Sequence, residues 1–224
     1  MALGDAETND FWTSFLRSLR ERGLKVPSPH DPEGVVLVTS DAHAGIRAAV
    51  RAILPGASWQ RCRVHFARNI TSRLGSARSK PVNALVSTIF AQTSQEAVAA
   101  QYQHVIDALK DAFPEIAQML KDAEPDLTAF AALPREHWTK IWSNNPIERL
   151  NREIKRRADV VQVFPNSESV TRLIGSVLLE QHEEWQYGER RYLSQTSLQR
   201  LTDMLQADNS AGAGGRPALP AITT

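Results

Sequence analysis

The first strong pattern along the chain is in residues 9–24, "NDFWTSFLRSLRERGL", where Phe11, Phe15 and Leu19, flanked by Trp12 and Leu16, recur three and four residues apart. That spacing places them on one face of a helix, opening at Asn9 or Asp10 and stopping at Gly23. "KVPSPHDPEG" (25–34), with three prolines, reads as an irregular loop. The period then changes. "VVLVTSD" (35–41) has the pattern of a strand buried on both faces in a parallel sheet, and it delivers Ser40 and Asp41 at its C-terminal end. Ile46, Val50 and Ile53 stripe a second helix that ends at "PG" (55–56), and "SWQRCRVHF" (58–66) alternates well enough to predict a second strand. In that strand Cys62 and Val64 share one face, Arg61 and Arg63 the other.

From residue 67 to 142 every pattern is helical: 67–75, 81–91, 94–111 behind the capping box "TSQE", and 114–123 with Pro114 in its first turn. "NPIE" (145–148) is a further helix start, with Asn145 as cap, Pro146 in first position, and Ile147, Leu150, Ile154 and Ala158 as its buried stripe. A short extended "VVQVFPN" follows. A long helix (167–185) then turns Val170, Leu173, Ile174, Val177 and Leu178 inward, and a shorter one covers 197–206. The tail 207–224 is rich in small residues, glycine and proline and is expected to be disordered. The fold class is therefore α/β, mostly helical, with an all-helical block set into an α/β frame.

Length and composition, 224 residues with 42% hydrophobic, suit one ordinary core. No apolar run approaches a membrane span, and "MALGDAETND" lacks the basic and apolar segments of a signal peptide, so a cytoplasmic protein with no membrane partner is expected. A single cysteine, Cys62, cannot form an internal disulfide, which fits a reducing compartment. The net charge of +1 excludes nothing, but its distribution is uneven. Residues 61–80 hold six Arg/Lys and no acid, and residues 149–157 hold five basic residues against Glu153. Between them, residues 96–126 carry seven acids and two lysines. Two basic stretches can form one phosphate-binding face, or can be ordinary solvated helix surfaces.

Glu148 is the residue on which two readings meet. As the third residue after an Asn cap it suits helix capping and the helix dipole. Arg152 and Lys155 lie on its helix face, an arrangement that also suits a divalent ion held over a phosphodiester. Asp41, at a strand C-terminus, is either a turn or cap residue or a ligand-facing acid, since open α/β sheets bind ligands at that edge. Two-metal phosphoryl transfer needs more carboxylates than these two. Cys62 and His65 have metal-ligand spacing but no second Cys/His pair, so zinc is not expected, and a buried thiol with a hydrogen-bonded histidine fits better. His43 could orient Asp41 or face water. Trp59, Trp138 and Trp142 read as core residues, although an exposed one could stack on an extruded base.

The strings "FWTSFLRSLRERGL", "LVTSDAHAGIRAAV", "PGASWQRCRVHFARN", "SNNPIERLNREIKRRADVVQVFPN" and "RYLS", in that order, resemble the C-terminal part of a Mutator-type bacterial insertion-sequence transposase. The resemblance implies an Asp-Asp-Glu enzyme on a ribonuclease-H-like fold, with a helical insertion between the second and third acids. It makes Asp41 the second acid and Glu148 the third, both as ligands of Mg²⁺ or Mn²⁺. Arg149, Arg152, Lys155, Arg156 and Arg157 become candidates for contact with DNA, and Cys62/His65 a motif of the family pattern. The implied organisation is a partial ribonuclease-H-like core (1–66), the insertion (67–142), core helices carrying the third acid (143–206) and the tail (207–224). The implied setting is bacterial and nucleoid-associated when bound to DNA.

The family's first Asp sits on a strand well over fifty residues before the second, and forty residues precede Asp41 here. Asp5 and Asp31 do not follow strand-like runs and are poor substitutes. The expectation is a transposase fragment, impaired in DNA cleavage and strand transfer, that self-associates or pairs with full-length transposase through an open strand edge. A non-enzymatic DNA-binding or oligomerising remnant is the alternative, and a zinc-stabilised helical module around Cys62 and His65 a third.

Overall fold

The computed structural model describes residues 7–26, 34–188 and 192–210, with side chains as far as residue 207. It consists of helix α1 (Asn9–Glu21), strand β1 (Leu37–Ser40), α2 (Ala44–Ile53), β2 (Ser58–Arg61), α3 (Arg63–Ser87), α4 (Gln95–Leu109), α5 (Pro114–Thr128), a short α6 (Trp138–Ile141), α7 (Asn145–Val161), α8 (Ser167–Tyr187) and α9 (Gln195–Ser210), with 3₁₀ turns at Thr88–Ala91, Ala129–Ala132 and Arg135–His137. The two strands pair in parallel, Leu37 opposite Ser58 and Ser40 opposite Arg61, with α2 as the crossover. The chain is thus α/β and mostly helical. Among the described residues no helix is long and apolar enough to cross a membrane.

The first helix has the expected apolar face, but its cap is Thr8, whose hydroxyl accepts from the Phe11 N–H at 3.1 Å. Gly23, at φ 102°, ends it in the left-handed conformation that glycine adopts without strain. Helix α1 packs on α2, where Leu16, Ala49, Val50, Leu54 and Ala57 form a small core extended by Trp12, Phe15, Val38 and Ile46. The two helix starts are close. A methyl group on Gly45 would stand 3.0 Å from the Asn9 backbone nitrogen, so only glycine fits without displacement.

A larger core joins Phe66, Ile70, Tyr102, Ile106, Leu120 and Phe130 with Trp138 and Trp142. Trp59, Trp138 and Trp142 are all buried. Three bonds fasten the strands to this helical block. Gln60, wholly buried, donates to Leu127 O at 3.0 Å and accepts from Phe130 N–H at 2.8 Å. Thr39 donates its hydroxyl to Ile141 O at 2.6 Å.

Several boundaries differ from the sequence reading. The second strand stops at Arg61, and residues 63–66 begin α3, so Cys62, Arg63, Val64 and His65 do not alternate across a sheet. Cys62 is the residue before the helix, and Phe66 N–H already bonds to Cys62 O at 3.0 Å. The helices expected over 67–75 and 81–91 form one element kinked at Gly75, φ 75°. Ser94, one residue beyond the predicted box start, caps α4. Helix α5 runs past Pro125 to Thr128.

The first strand is less enclosed than its apolar run suggests, since only Ser40 within it is buried. Helix α7 buries none of its residues fully. Leu150, Ile154 and Ala158 are half-buried, Ile147 is 54% exposed, and the helix continues to Val161 where the sequence predicts extended chain. Within α8 only Val177 is buried. Helix α9 is longer than predicted and takes in residues 207–210 of the expected tail. Most of the proline-rich loop, Asp5, Asp31 and residues 211–224 lie outside the described residues.

Candidate active site

The C-terminal end of β1 and the N-terminal end of α7 face each other across a cleft of about 690 Å³. Asp41 leaves the strand there. The following residue pair is fixed by capping: the His43 Nδ1 accepts from Gly45 N–H at 3.2 Å and so starts α2. His43 is thus a helix cap. Asp41 is left as a cleft-lining carboxylate, together with Glu148, Arg152, Lys155, His65 and Arg68.

The start of α3 is bonded to the start of α7. The Cys62 thiol, wholly buried, donates to Asn144 Oδ1 at 2.8 Å. Arg63 N–H bonds to Trp142 O at 3.0 Å, and its guanidinium stacks over the Trp142 ring at 4.3 Å. Burial lowers the Arg63 pKa. Asn144, not Asn145, precedes α7, and its side chain makes no capping bond because it is engaged by Cys62.

Glu148 sits in the first turn of α7, where its backbone N–H bonds to Asn144 O at 3.0 Å. Its carboxylate points to α3. Oε2 pairs with Arg68 Nη2 at 3.3 Å, and Oε1 lies 3.8 Å from His65 Nε2. That second contact is too long for a hydrogen bond. Oε1 is buried and has no hydrogen-bond partner, and neither has His65 Nδ1. A buried carboxylate oxygen without a donor is costly unless a cation or water occupies its lone pairs.

Glu148 Oε1 is an orphaned anionic oxygen, the kind of donor a hard divalent ion takes, in a hollow that Asp41 also lines. Ligand atoms of Cys62, His65 and Glu148 also lie within 4.8 Å of one another, a mixed sulfur, nitrogen and oxygen set of the kind zinc takes. The thiol there is already used as a donor to Asn144.

The five basic residues of α7 divide into two groups. Arg152 and Lys155 line the cleft and make no ion pair with the described residues. Arg156 and Arg157 instead grip Glu153, at 2.6 and 2.9 Å, and Arg157 reaches Glu180 on α8 at 3.0 Å. Their hydrogen bonds hold the Glu153 carboxyl down at about 2. Arg149 is exposed and outside the cleft.

Two cleft residues are not legible in the sequence as functional. Arg68 is one turn beyond His65 on α3, a relation that reading 58–66 as a strand hides. Glu7, just ahead of α1, adds a third carboxylate to the lining, and nothing in its local pattern marks it.

A cleft of acids and bases drawn from β1, α3 and α7 suits phosphodiester chemistry, and comparison with known proteins decides the family. The family model described as "Transposase, Mutator family" matches residues 1–188. The chain belongs to the Mutator family of transposases. It is 46% identical over 219 residues to the transposase for insertion sequence element IS1081 of Mycobacterium tuberculosis, covering 98% of this chain and 51% of that protein. It is 37% identical over 192 residues to the transposase for IS256 in transposon Tn4001 of Staphylococcus aureus, covering 84% and 46%. The transposase for ISRM5 of Rhizobium meliloti is 34% identical over 184 residues, covering 82% and 44%. The Mutator-family chain thus spans about half the length of these relatives.

Proposed function

We propose that this chain carries the second and third acids of a DNA transposase active site and binds DNA across the cleft between β1 and α7. The observation that supports the reading most is convergence. Asp41 and Glu148, far apart in sequence, line one hollow, with Arg152 and Lys155 on the same helix face as Glu148.

By the family's chemistry the reaction is phosphodiester hydrolysis at element ends, followed by attack of the freed 3′ hydroxyl on target DNA. A divalent ion, Mg²⁺ or Mn²⁺, supplies Lewis acidity to the phosphoryl group and a nucleophilic water when bound. Asp41 and Glu148 would be the residues that hold it. Arg152 and Lys155 neutralise strand phosphates at the cleft, and Arg149 extends that contact along α7. Arg156 and Arg157 contribute less, because Glu153 already holds them. The frame is read as a partial ribonuclease-H-like core, with residues 67–142 as its insertion and residues 143–206 presenting the third acid.

The family triad has three acids, and the resemblance assigns two of them to this chain. Little cleavage by the chain alone is therefore expected, and a role in DNA binding, self-association or interference with full-length transposase is the second reading. The purified chain is to be mixed with supercoiled plasmid and with labelled DNA, with Mg²⁺ or Mn²⁺. Salt-dependent binding with no nicking fits the proposal. Metal-dependent nicking abolished by Glu148→Ala overturns the impaired reading, and absence of binding overturns the DNA reading.

A further inference from the structure

Two hollows of about 400 and 700 Å³ share no lining residue with the cleft and meet each other at Arg61 and Asp122. Arg61 ends β2. Its guanidinium lies 4.8 Å over the Phe66 ring, and its Nε is buried without a hydrogen-bond partner. Among the described residues Arg61 makes no ion pair, and desolvation lowers its pKa. Arg73, two turns beyond Phe66 on α3, lines the second hollow and has the Met119 sulfur at 2.9 Å as its hydrogen-bond acceptor. A thioether is neutral and a weak acceptor.

The acids present settle these charges only in part: Asp126 acts on Arg61 through space without pairing with it. Asp126 is held by Arg47 at 3.2 Å, and the Asp122 carboxylate accepts from Gln118 at 2.8 Å. Among the described residues, two guanidiniums therefore face one trough with no carboxylate at ion-pairing distance, next to the amide of Asn69. For Arg61, half-buried with an orphaned Nε, unused donors are unfavourable unless an anion completes them; Arg73 is exposed and solvated and can turn to the same anion, whose phosphate oxygens match the planar donor fork. Glu115, Asp122 and Asp126 in the trough's lining disfavour a compact, highly charged anion. A phosphodiester strand brings one charge per nucleotide.

The placement relative to the cleft supplies the direction. His65 and Arg68 on α3 line the cleft, and Asn69 and Arg73 on the next turns line the trough. Asp41 lines the cleft, and Ala42 the trough. We propose that Arg61, Asn69 and Arg73 form a second phosphate-binding track, which holds the backbone of a DNA strand as it leaves the cleft around the start of α3. The inference rests on the DNA reading above.

The test is fluorescence anisotropy of a labelled random-sequence duplex with a single-stranded extension, titrated with the full chain over a range of salt concentrations. Removing one phosphate-binding side chain lowers the slope of log K against log salt by about 0.9. Arg73→Gln and Arg61→Gln are each expected to lower the slope by about that amount, while Arg17→Gln on α1 leaves it unchanged. Arg73 is exposed, so its variant stays informative if Arg61→Gln fails to fold. Unchanged slopes in the trough variants, with a lower slope in Arg152→Gln, overturn the track and leave the DNA reading standing. No binding by the unaltered chain overturns both.

Discussion

Replacing Glu148 by glutamine separates a structural carboxylate from a metal-binding one. Glutamine keeps the volume and removes the charge. The pair with Arg68 spans 3.3 Å, but the Arg68 and Glu148 side chains are 59% and 23% exposed, so solvent screening limits it to at most about 1 kcal/mol. Against this, Oε1 is buried with no donor, a situation that costs on the order of 1–3 kcal/mol. Glutamine still places a polar atom at the buried position, so only a small part of that cost is relieved, and metal-free Glu148→Gln should differ from the parent by no more than about 1 kcal/mol, in either direction. Metal changes the comparison. If the cleft binds Mn²⁺ as proposed, and only in the folded state, the ion at about ten times its dissociation constant should stabilise the parent by about 1.4 kcal/mol. For a chain of this size that raises the melting temperature by roughly 3–6 °C. Thermal unfolding of both proteins, with and without Mn²⁺, reads the difference. The shift should vanish in Glu148→Gln. A destabilisation above about 2 kcal/mol without metal, or a Mn²⁺ shift retained in the variant, would refute the reasoning.

Other consequences follow from the same geometry. Glu153→Gln should release Arg156 and Arg157 and steepen the salt dependence of DNA binding by about 0.9 or more in slope, measured by anisotropy. The Glu153 carboxyl is held well below its unfolded value, so its contribution to stability is complete above about pH 4.3 and is lost as pH falls through about 2; carbon-detected NMR titration should find that low midpoint. Cys62→Ala removes the donor to the half-buried Asn144 carbonyl, costing about 0.5–1.5 kcal/mol in denaturant unfolding. Co²⁺ added to the parent protein should give no thiolate charge-transfer absorption; such a band, absent from Cys62→Ala, would make Cys62, His65 and Glu148 a metal centre instead. Gly45→Ala should destabilise despite better helix propensity, because its methyl group meets Asn9 backbone at 3.0 Å, and a raised melting temperature would contradict that packing.

What the sequence makes legible is what periodicity and capping residues encode. The apolar stripe of α1, the strand ending at Asp41, the parallel βαβ unit and the helical nature of residues 67–142 all follow from local spacing. The misreadings share a cause. "SWQRCRVHF" alternates by chance past Arg61, and no local signal says that the chain turns into a helix at Cys62 so that Phe66 can enter the large core. That error conceals the turn of α3 on which His65 and Arg68 approach Glu148. Asn145 has the pattern of a cap, but neither asparagine side chain caps α7, because Asn144 is drawn to Cys62 across 82 residues of sequence. The stripe on α7 reads as buried, yet Ile147 lines the cleft and no residue of the helix is fully buried. Glu7 enters the site through the packing of α1 on α2, a tertiary effect with no trace in its own neighbourhood.

If Asp41 and Glu148 hold one divalent ion between them, their substitutions must be coupled in Mn²⁺ affinity, which a double-mutant cycle measures. Free Mn²⁺ is counted by electron paramagnetic resonance for the parent chain, Asp41→Asn, Glu148→Gln and the double variant. Ligands of a single ion predict that each substitution alone weakens binding at least tenfold and that the second adds little to the first. Unaltered affinity in either single variant, or effects that simply add, would contradict the account.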